Sequence, residues 1–371
     1  MWAEVALPLS VPINFSYKVP ADLSEKIQVG QQVKVPFRQF FLSGVVVELH
    51  TNSIPLQSAN SLKEIYSIVS PTQVSPQLLQ LMRWLSQEYA CTLGEALSLV
   101  PLLTDLHSGG NISIVIPAKA GIQTSNFTGL DSGFRRNDDR EDKKLENWNL
   151  PYTLTEEQDR AIDSIVGSIQ RTENKNFLLY GVTSSGKTEV YLHAISEALR
   201  LGKQALFMVP EISICPPFLE VLRQRFGSQV GLWHSQVSVK EKREVLEKIE
   251  TGEIKVVVGA RSSLFLPLNE LGIIVLDEEH DHSYKQQEKP RYHTRETALK
   301  LMEIYQGVVV MGSATPSIET FYRAQMGSFQ LLELPRRVSS LSLPEVKLVD
   351  KKMAGPRDSS LSKELRERLT N

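Results

Sequence analysis

Cysteine is almost missing: Cys91 and Cys215 stand far apart in 371 residues, and neither belongs to a CxxC pair. That excludes a zinc site of the usual cysteine spacing and a disulfide framework, and it fits a reducing compartment. Net charge is scarce too. The 41 Lys and Arg nearly balance the 43 Asp and Glu, leaving −2, so bulk charge does not direct the chain to nucleic acid. Residues 1–106 carry six basic against eight acidic side chains, so any such contact there must be local. No uncharged run reaches the roughly 18 residues of a membrane span, and no membrane association is expected. The apolar start "MWAEVALPLSVPINF" lacks a basic segment and is interrupted by Glu4, which reads as a strand and not as a signal peptide. The expected location is the cytoplasm.

What is present is 41% hydrophobic and 23% charged, the balance of a globular protein of two or three domains. Residues 1–106 read as short strands punctuated by Gly, Pro, Asn and Ser ("WAEVALPL", "FSYKVP", "QQVKVPF", "LSGVVVEL", "LKEIYSIV"), followed by the helix "PQLLQLMRWLSQEYA". This predicts a small β-rich domain. Residues 107–149 join Gly, Ser and Asn to a dense charge run without periodicity, the pattern of a flexible linker or insertion. From 150 to 335 the pattern is α/β. The apolar runs "FLLY", "ALFMVP", "IKVVVG", "GIIVLD" and "VVVMGS" are separated by helical stretches, which predicts a parallel sheet covered on both faces. Residues 336–371 read as the start of a further region.

Within that α/β part, "GVTSSGKT" (181–188) follows the run "FLLY" and precedes an apolar helical stripe, so GxxxxGK[ST] stands in its required strand–loop–helix setting. The backbone of Gly181, Val182, Thr183, Ser184, Ser185 and Gly186 is expected to curl its N–H groups toward phosphate oxygens at a helix N-terminus. Lys187 is expected at the β/γ-phosphates of ATP and the Thr188 hydroxyl at Mg²⁺. Asp277 ends a buried run with Glu278 beside it. A carboxylate there suits the same Mg²⁺, and its neighbour suits the base that polarises an attacking water. Gln158, in "LTEEQ", has two readings: contact with adenine, or the last member of a Thr155-x-x-Gln158 capping box.

"DEEH" (277–280) resembles, as a variant, the DExH box of superfamily 2 helicases, "GSATPS" (312–317) resembles their motif III, and "GARSSLF" (259–265) resembles motif Ib. Together with "GVTSSGKTEVYL", "MVPEIS", "WHS" and "DEEHDHSYKQQEKPRYHTRETA", the sequence resembles the PriA replication-restart helicases, the primosomal protein N′ family, over about 1–105 and 150–350. The resemblance implies a RecA-like first helicase lobe behind a domain that binds the 3′ end of a nascent strand. It assigns DNA contact to Phe15, Tyr17 and Lys63 in that domain and to Arg261, Tyr284, Lys285, Arg291 and Tyr292 in the lobe. Stacking on unpaired bases falls to Tyr284, Tyr292 and His293. It assigns coupling between the two sites to His280, Ser313 and Thr315. A solvated loop whose tyrosines pack on the domain is the competing reading of 281–293.

The function so implied is an ATP-dependent 3′-to-5′ DNA helicase of replication restart. Forked or single-stranded DNA, primosome proteins and single-strand-binding protein are its partners. Ser184 stands where the family usually has glycine, and Ser16 where many members have an acid. The zinc module and second lobe of the family have no counterpart before Asn371, so zinc is expected for the full-length family and not in this chain. The alternative is a module that binds forks and ATP without unwinding. A general P-loop translocase lacks the "SYKQQ…RYH" block.

Overall fold

The computed structural model describes residues 1–51, 62–103, 153–210 and 216–338. The expected linker at 107–149, Cys215 and nearly all of 336–371 lie outside these residues. Five strands form an antiparallel sheet in the order β2-β1-β4-β3-β5: β1 (Trp2–Ala6), β2 (Phe15–Lys18), β3 (Gln31–Phe37), β4 (Phe40–His50) and β5 (Ser67–Gln73). The last differs from its expected place. Lys63 to Ile65 turn aside to join β2, where Lys18 N–H donates to Lys63 O and Ile65 N–H to Lys18 O. Val33, Val35, Val46 and Tyr17 fill one face of this sheet. Two helices follow, α1 (Pro76–Glu88) and α2 (Leu93–Leu97). Pro76 at the first turn and the Ser75 hydroxyl, which accepts from Leu78 N–H, start the first.

The larger unit is a seven-stranded sheet in the order β12-β6-β11-β10-β7-β9-β8, and every pair in it is parallel. Its strands are β6 (Lys175–Gly181), β7 (Gln204–Met208), β8 (Val230–Trp233), β9 (Val256–Gly259), β10 (Leu271–Leu276), β11 (Val308–Ser313) and β12 (Gln330–Leu334). The five long apolar runs all become strands. β8 and β12 escape sequence reading because one is four residues with an internal glycine and the other carries Gln330 and Glu333. In β10, Ile273 and Val275 bury on one face, while Ile274 and Leu276 bury on the other. That is why the runs are apolar without alternation.

One face is covered by α3 (Glu156–Gln170), α4 (Lys187–Arg200) and α5 (Pro216–Phe226). The other carries α6 (Val239–Glu250), α7 (Thr294–Tyr305) and α8 (Ile318–Gln325). The same second core includes Leu81, Met82 and Leu85 of α1, which packs against α7, so the antiparallel sheet and the parallel sheet share one hydrophobic core. Among the described residues no helix is long and apolar enough to cross a membrane.

The seam between the two sheets is closed by polar contacts as well. His293 N–H donates to the Tyr89 hydroxyl at 3.2 Å, and Lys285 Nζ lies 5.4 Å from the centre of the Tyr89 ring. His293 also caps α7, its Nδ1 accepting from Arg295 N–H. Burial, aided by the Arg295 charge, lowers its pKa from the ordinary 6.5 to about 4. An unfolded chain therefore takes up a proton between those values that the folded chain refuses, so stability falls as pH drops from 6.5 toward 4. We expect urea midpoints to show this decline and His293→Gln to flatten it. Equal slopes for the two proteins would contradict the assignment.

Candidate phosphate and coupling site

The parallel order makes the site. β6 lies beside β11, and β11 beside β10, so the loops after these strands leave the sheet at one edge. The first is the turn 181–186, wound through left-handed conformations at Ser184 (φ 65°) and Gly186 (φ 80°). Serine tolerates that region less well than glycine would. At Gly186 a Cβ would meet the Gln158 amide and displace that side chain, on a left-handed backbone that already favours glycine. α4 starts immediately after it. Thr183, Ser184, Ser185, Gly186, Lys187 and Thr188 line a cavity of about 420 Å³ together with Asp277, Glu278 and Gln158.

Two expected phosphate contacts fall elsewhere. Gly181 is the last residue of β6, and its carbonyl accepts from Lys187 Nζ at 2.8 Å. Val182 N–H is taken by Leu334 O at 3.3 Å. Neither residue lines the cavity.

Gln158 makes the expected capping box. Its Oε1 accepts from Thr155 N–H at 2.9 Å, completing the capping box, and its Nε2 donates to Ser185 O at 3.0 Å. Both ends of the amide are thus engaged, and the side chain is buried as a clamp under the phosphate loop while still lining the cavity. Ser185 Oγ, by contrast, is buried and has no partner among the described residues. An orphaned buried hydroxyl in a curl of backbone N–H groups fits a phosphate oxygen.

Asp277 follows β10, and its N–H is tied to Met208 O. The Tyr191 hydroxyl donates to its Oδ1 at 3.1 Å. Burial, with the Glu278 charge adding to it, raises the Asp277 pKa above the ordinary carboxylate range. That is the electrostatic state of a carboxylate suited to a cation. Gly312 permits the arrangement, since a Cβ there would collide with the Tyr191 hydroxyl. Glu278 adopts φ 47°, a left-handed turn unusual for glutamate that directs its side chain into the same cavity.

His280 Nδ1 lies 2.9 Å from Ser313 Oγ and 3.6 Å from Glu278 Oε2, and Ser313 Oγ accepts from Thr315 N–H. His280, Ser313 and Thr315 are therefore brought together next to the cavity.

The segment after DEEH corrects the sequence reading. Tyr284 is fully buried, and its hydroxyl sits 2.7 Å from Asp277 O and 3.1 Å from Met208 O. Tyr292 is buried edge-on against Phe265. Neither ring presents a face to a base; Tyr284 braces the end of β10 and Tyr292 packs on Phe265, because the turn folds back onto the sheet. Lys285 Nζ donates to Arg291 O, and Arg261 donates to Lys285 O. Arg291 is exposed.

In the antiparallel sheet Tyr17 is likewise core, its hydroxyl against Pro36 O and its pKa raised by burial to about 12. Phe15 meets Phe37 edge-on, the Arg38 guanidinium lies over Phe37, and Lys63 Nζ donates to Arg38 O. Phe15 and Lys63 are thus neighbours through Phe37 and Arg38, two residues the sequence reading passed over.

It also passed over Glu279, whose carboxylate is completely buried. It accepts from Arg295 Nη1 at 2.7 Å, Ser317 N–H at 2.6 Å and Thr320 Oγ1 at 2.9 Å, while Glu279 N–H donates to Gly312 O. The third acid of DEEH thereby ties that turn to α7 and to the start of α8. The one sequence signal was its place in an acidic run ending a buried strand. Replacing Arg295 by Leu would leave this carboxylate buried without a countercharge, a change that costs about 3–5 kcal/mol. Urea denaturation of Arg295→Leu checks it, and a loss below about 1 kcal/mol would contradict it.

Comparison with known proteins agrees with this geometry sheet by sheet. Residues 4–101 match the family model of the PriA 3′ DNA-binding domain, and residues 155–324 match that of the DEAD/DEAH box helicases. The replication restart protein PriA of Rickettsia conorii is 36% identical over 349 residues, 94% of this chain and 48% of that protein. That of Treponema pallidum is 34% identical over 352 residues, 94% of this chain and 49% of that protein. That of Bacillus subtilis is 47% identical over 221 residues, 59% of this chain and 28% of that protein. A solved structure of RecG bound to a three-way DNA junction aligns with 52% of this chain and 25% of that one, with a TM-score of 0.38 and 24% identity. The chain spans about half the length of the first two relatives. With both family models matched in the order of the two sheets, and kinship running across nearly all of its residues, the chain belongs to the PriA replication restart family.

Proposed function

We propose that these residues are the DNA-engaging, ATP-binding front half of a 3′-to-5′ replication-restart helicase. The observation that carries the reading is the convergence of Lys187, Thr188, Asp277 and Glu278 on one cavity, with the orphaned Ser185 hydroxyl inside its loop. Magnesium ATP, when bound, supplies the phosphoryl bond whose hydrolysis drives the motor. Lys187 exchanges the Gly181 carbonyl for a phosphate oxygen. The Thr188 hydroxyl and the Asp277 carboxylate hold Mg²⁺, and Glu278 takes a proton from the attacking water. His280 reports the state of Glu278 to Ser313 and Thr315, and so to the turn before α8. The antiparallel sheet holds a strand end at Phe15 and Lys63. Forked or single-stranded DNA is the partner, and single-strand-binding protein and primosome proteins are further partners this reading implies.

A second reading, binding of forks and ATP without unwinding by this polypeptide alone, draws on one observation. Among the described residues no arginine lines the cavity. An arginine finger is worth ~10³–10⁵ in rate, so nucleotide binding and fast turnover separate here. Calorimetry with magnesium ATP should give binding to the wild-type chain. Lys187→Ala removes a charge-assisted contact of ~1.5–3 kcal/mol and should weaken that binding about tenfold or more. Equal affinities would contradict the site. Unwinding by these 371 residues alone, abolished by Glu278→Gln, would reject the second reading.

A further inference from the structure

The antiparallel sheet carries a second aromatic and basic surface that the strand-end site does not use. In β3 the side chains alternate. Val33 and Val35 bury in the core beside Tyr17, and Phe37 packs against that core next to Phe15. Lys34 and Pro36 face the opposite way, and Phe41 of β4, paired with Pro36, shares their face. There the Phe41 and Tyr66 rings meet at 4.8 Å, tilted by 56°. Lys34 Nζ sits over both, 5.7 Å from one centre and 5.9 Å from the other. These rings are not core: Phe41 is 42% exposed and Tyr66 65%.

Lys34 is the cation of this face, and among the described residues no carboxylate pairs with it. Glu64, two residues before Tyr66, is neutralised by Lys18 at 2.7 Å. Open rings beneath an unpaired cation match a polymer of planar bases on an anionic backbone. A protein surface would meet the same rings, but it would leave Lys34 without a phosphate.

We propose that Phe41 and Tyr66 form a base-stacking platform, with Lys34 as its phosphate contact, for single-stranded DNA. It is separate from the strand-end site at Phe15 and Lys63, and it lies across the β3–β4 hairpin from it. The platform takes internal nucleotides and needs no end. The inference rests on the DNA-binding reading given above.

The test uses the full chain and two probes, a linear oligodeoxynucleotide and the same sequence closed into a circle, which has no 3′ end. Fluorescence anisotropy should find both bound by the wild type. Phe41→Ala with Tyr66→Ala should weaken both by about tenfold or more, the loss expected for stacked bases. Tyr66→Phe should restore its share, and an abasic strand should bind wild type and double variant alike. Lys63→Ala should weaken the linear strand alone. Both rings are exposed, so an unchanged melting temperature certifies the fold of the variant. Unchanged affinity of the double variant for both strands would overturn the platform while leaving DNA binding intact. So would a dimer in sedimentation that the double variant dissolves without loss of DNA affinity. Failure of the wild type to bind either strand would instead overturn the DNA-binding reading, and the platform with it.

Discussion

Parallel pairing of β6, β11, β10 and β7 is the constraint on which the site depends. In a parallel sheet all strands end at one edge, so any group just past a carboxyl end meets its counterparts from neighbouring strands. Ser313 is paired with Tyr180, and Leu276 with both Met311 and Met208. Lys187, Asp277 and Ser313 are more than a hundred residues apart at the extremes, yet they come together with no loop reaching across the molecule. The continuous apolar strands are the condition for this, because each must bury both faces to hold its place in the middle of the sheet.

A buried carboxylate then makes the edge behave as one piece. Glu279 takes donors from α7, from the turn after β11 and from α8, and Glu279 N–H itself is fixed to Gly312. Tyr284 secures the strand end from the other side through Asp277 and Met208. Asp277, Glu278 and His280 are therefore held between two rigid anchors. Ser313 and Ser317 are thereby joined to the cavity through hydrogen-bonded atoms, and the α1–α7 seam continues the packing to the antiparallel sheet.

Much of this was legible in the sequence, for physical reasons that also mark where legibility stopped. The phosphate loop is contiguous and its backbone demands small residues, so its motif survives as a readable string. The long β runs are legible because burial on two faces leaves an unbroken apolar stretch in each. The Glu279 network was not legible, since its members at 279, 295, 317 and 320 are joined only by the fold. Tyr284 and Tyr292 misled for the converse reason. Set among Lys, Gln and Arg they look like a surface loop, and periodicity cannot report that the turn folds back onto the sheet. The clamp that Gln158 places on Ser185 O was not legible either, since the two residues meet only in the fold.

The central claim is that the phosphate loop, DEEH and the turn after β11 form one coupled edge. Hydrogen exchange with and without magnesium ATP tests it most directly. The account predicts added protection at 181–188 accompanied by protection at 277–281 and 313–317, with the latter two lost in Glu279→Gln while the first remains. Protection confined to 181–188 in the wild-type chain would contradict it.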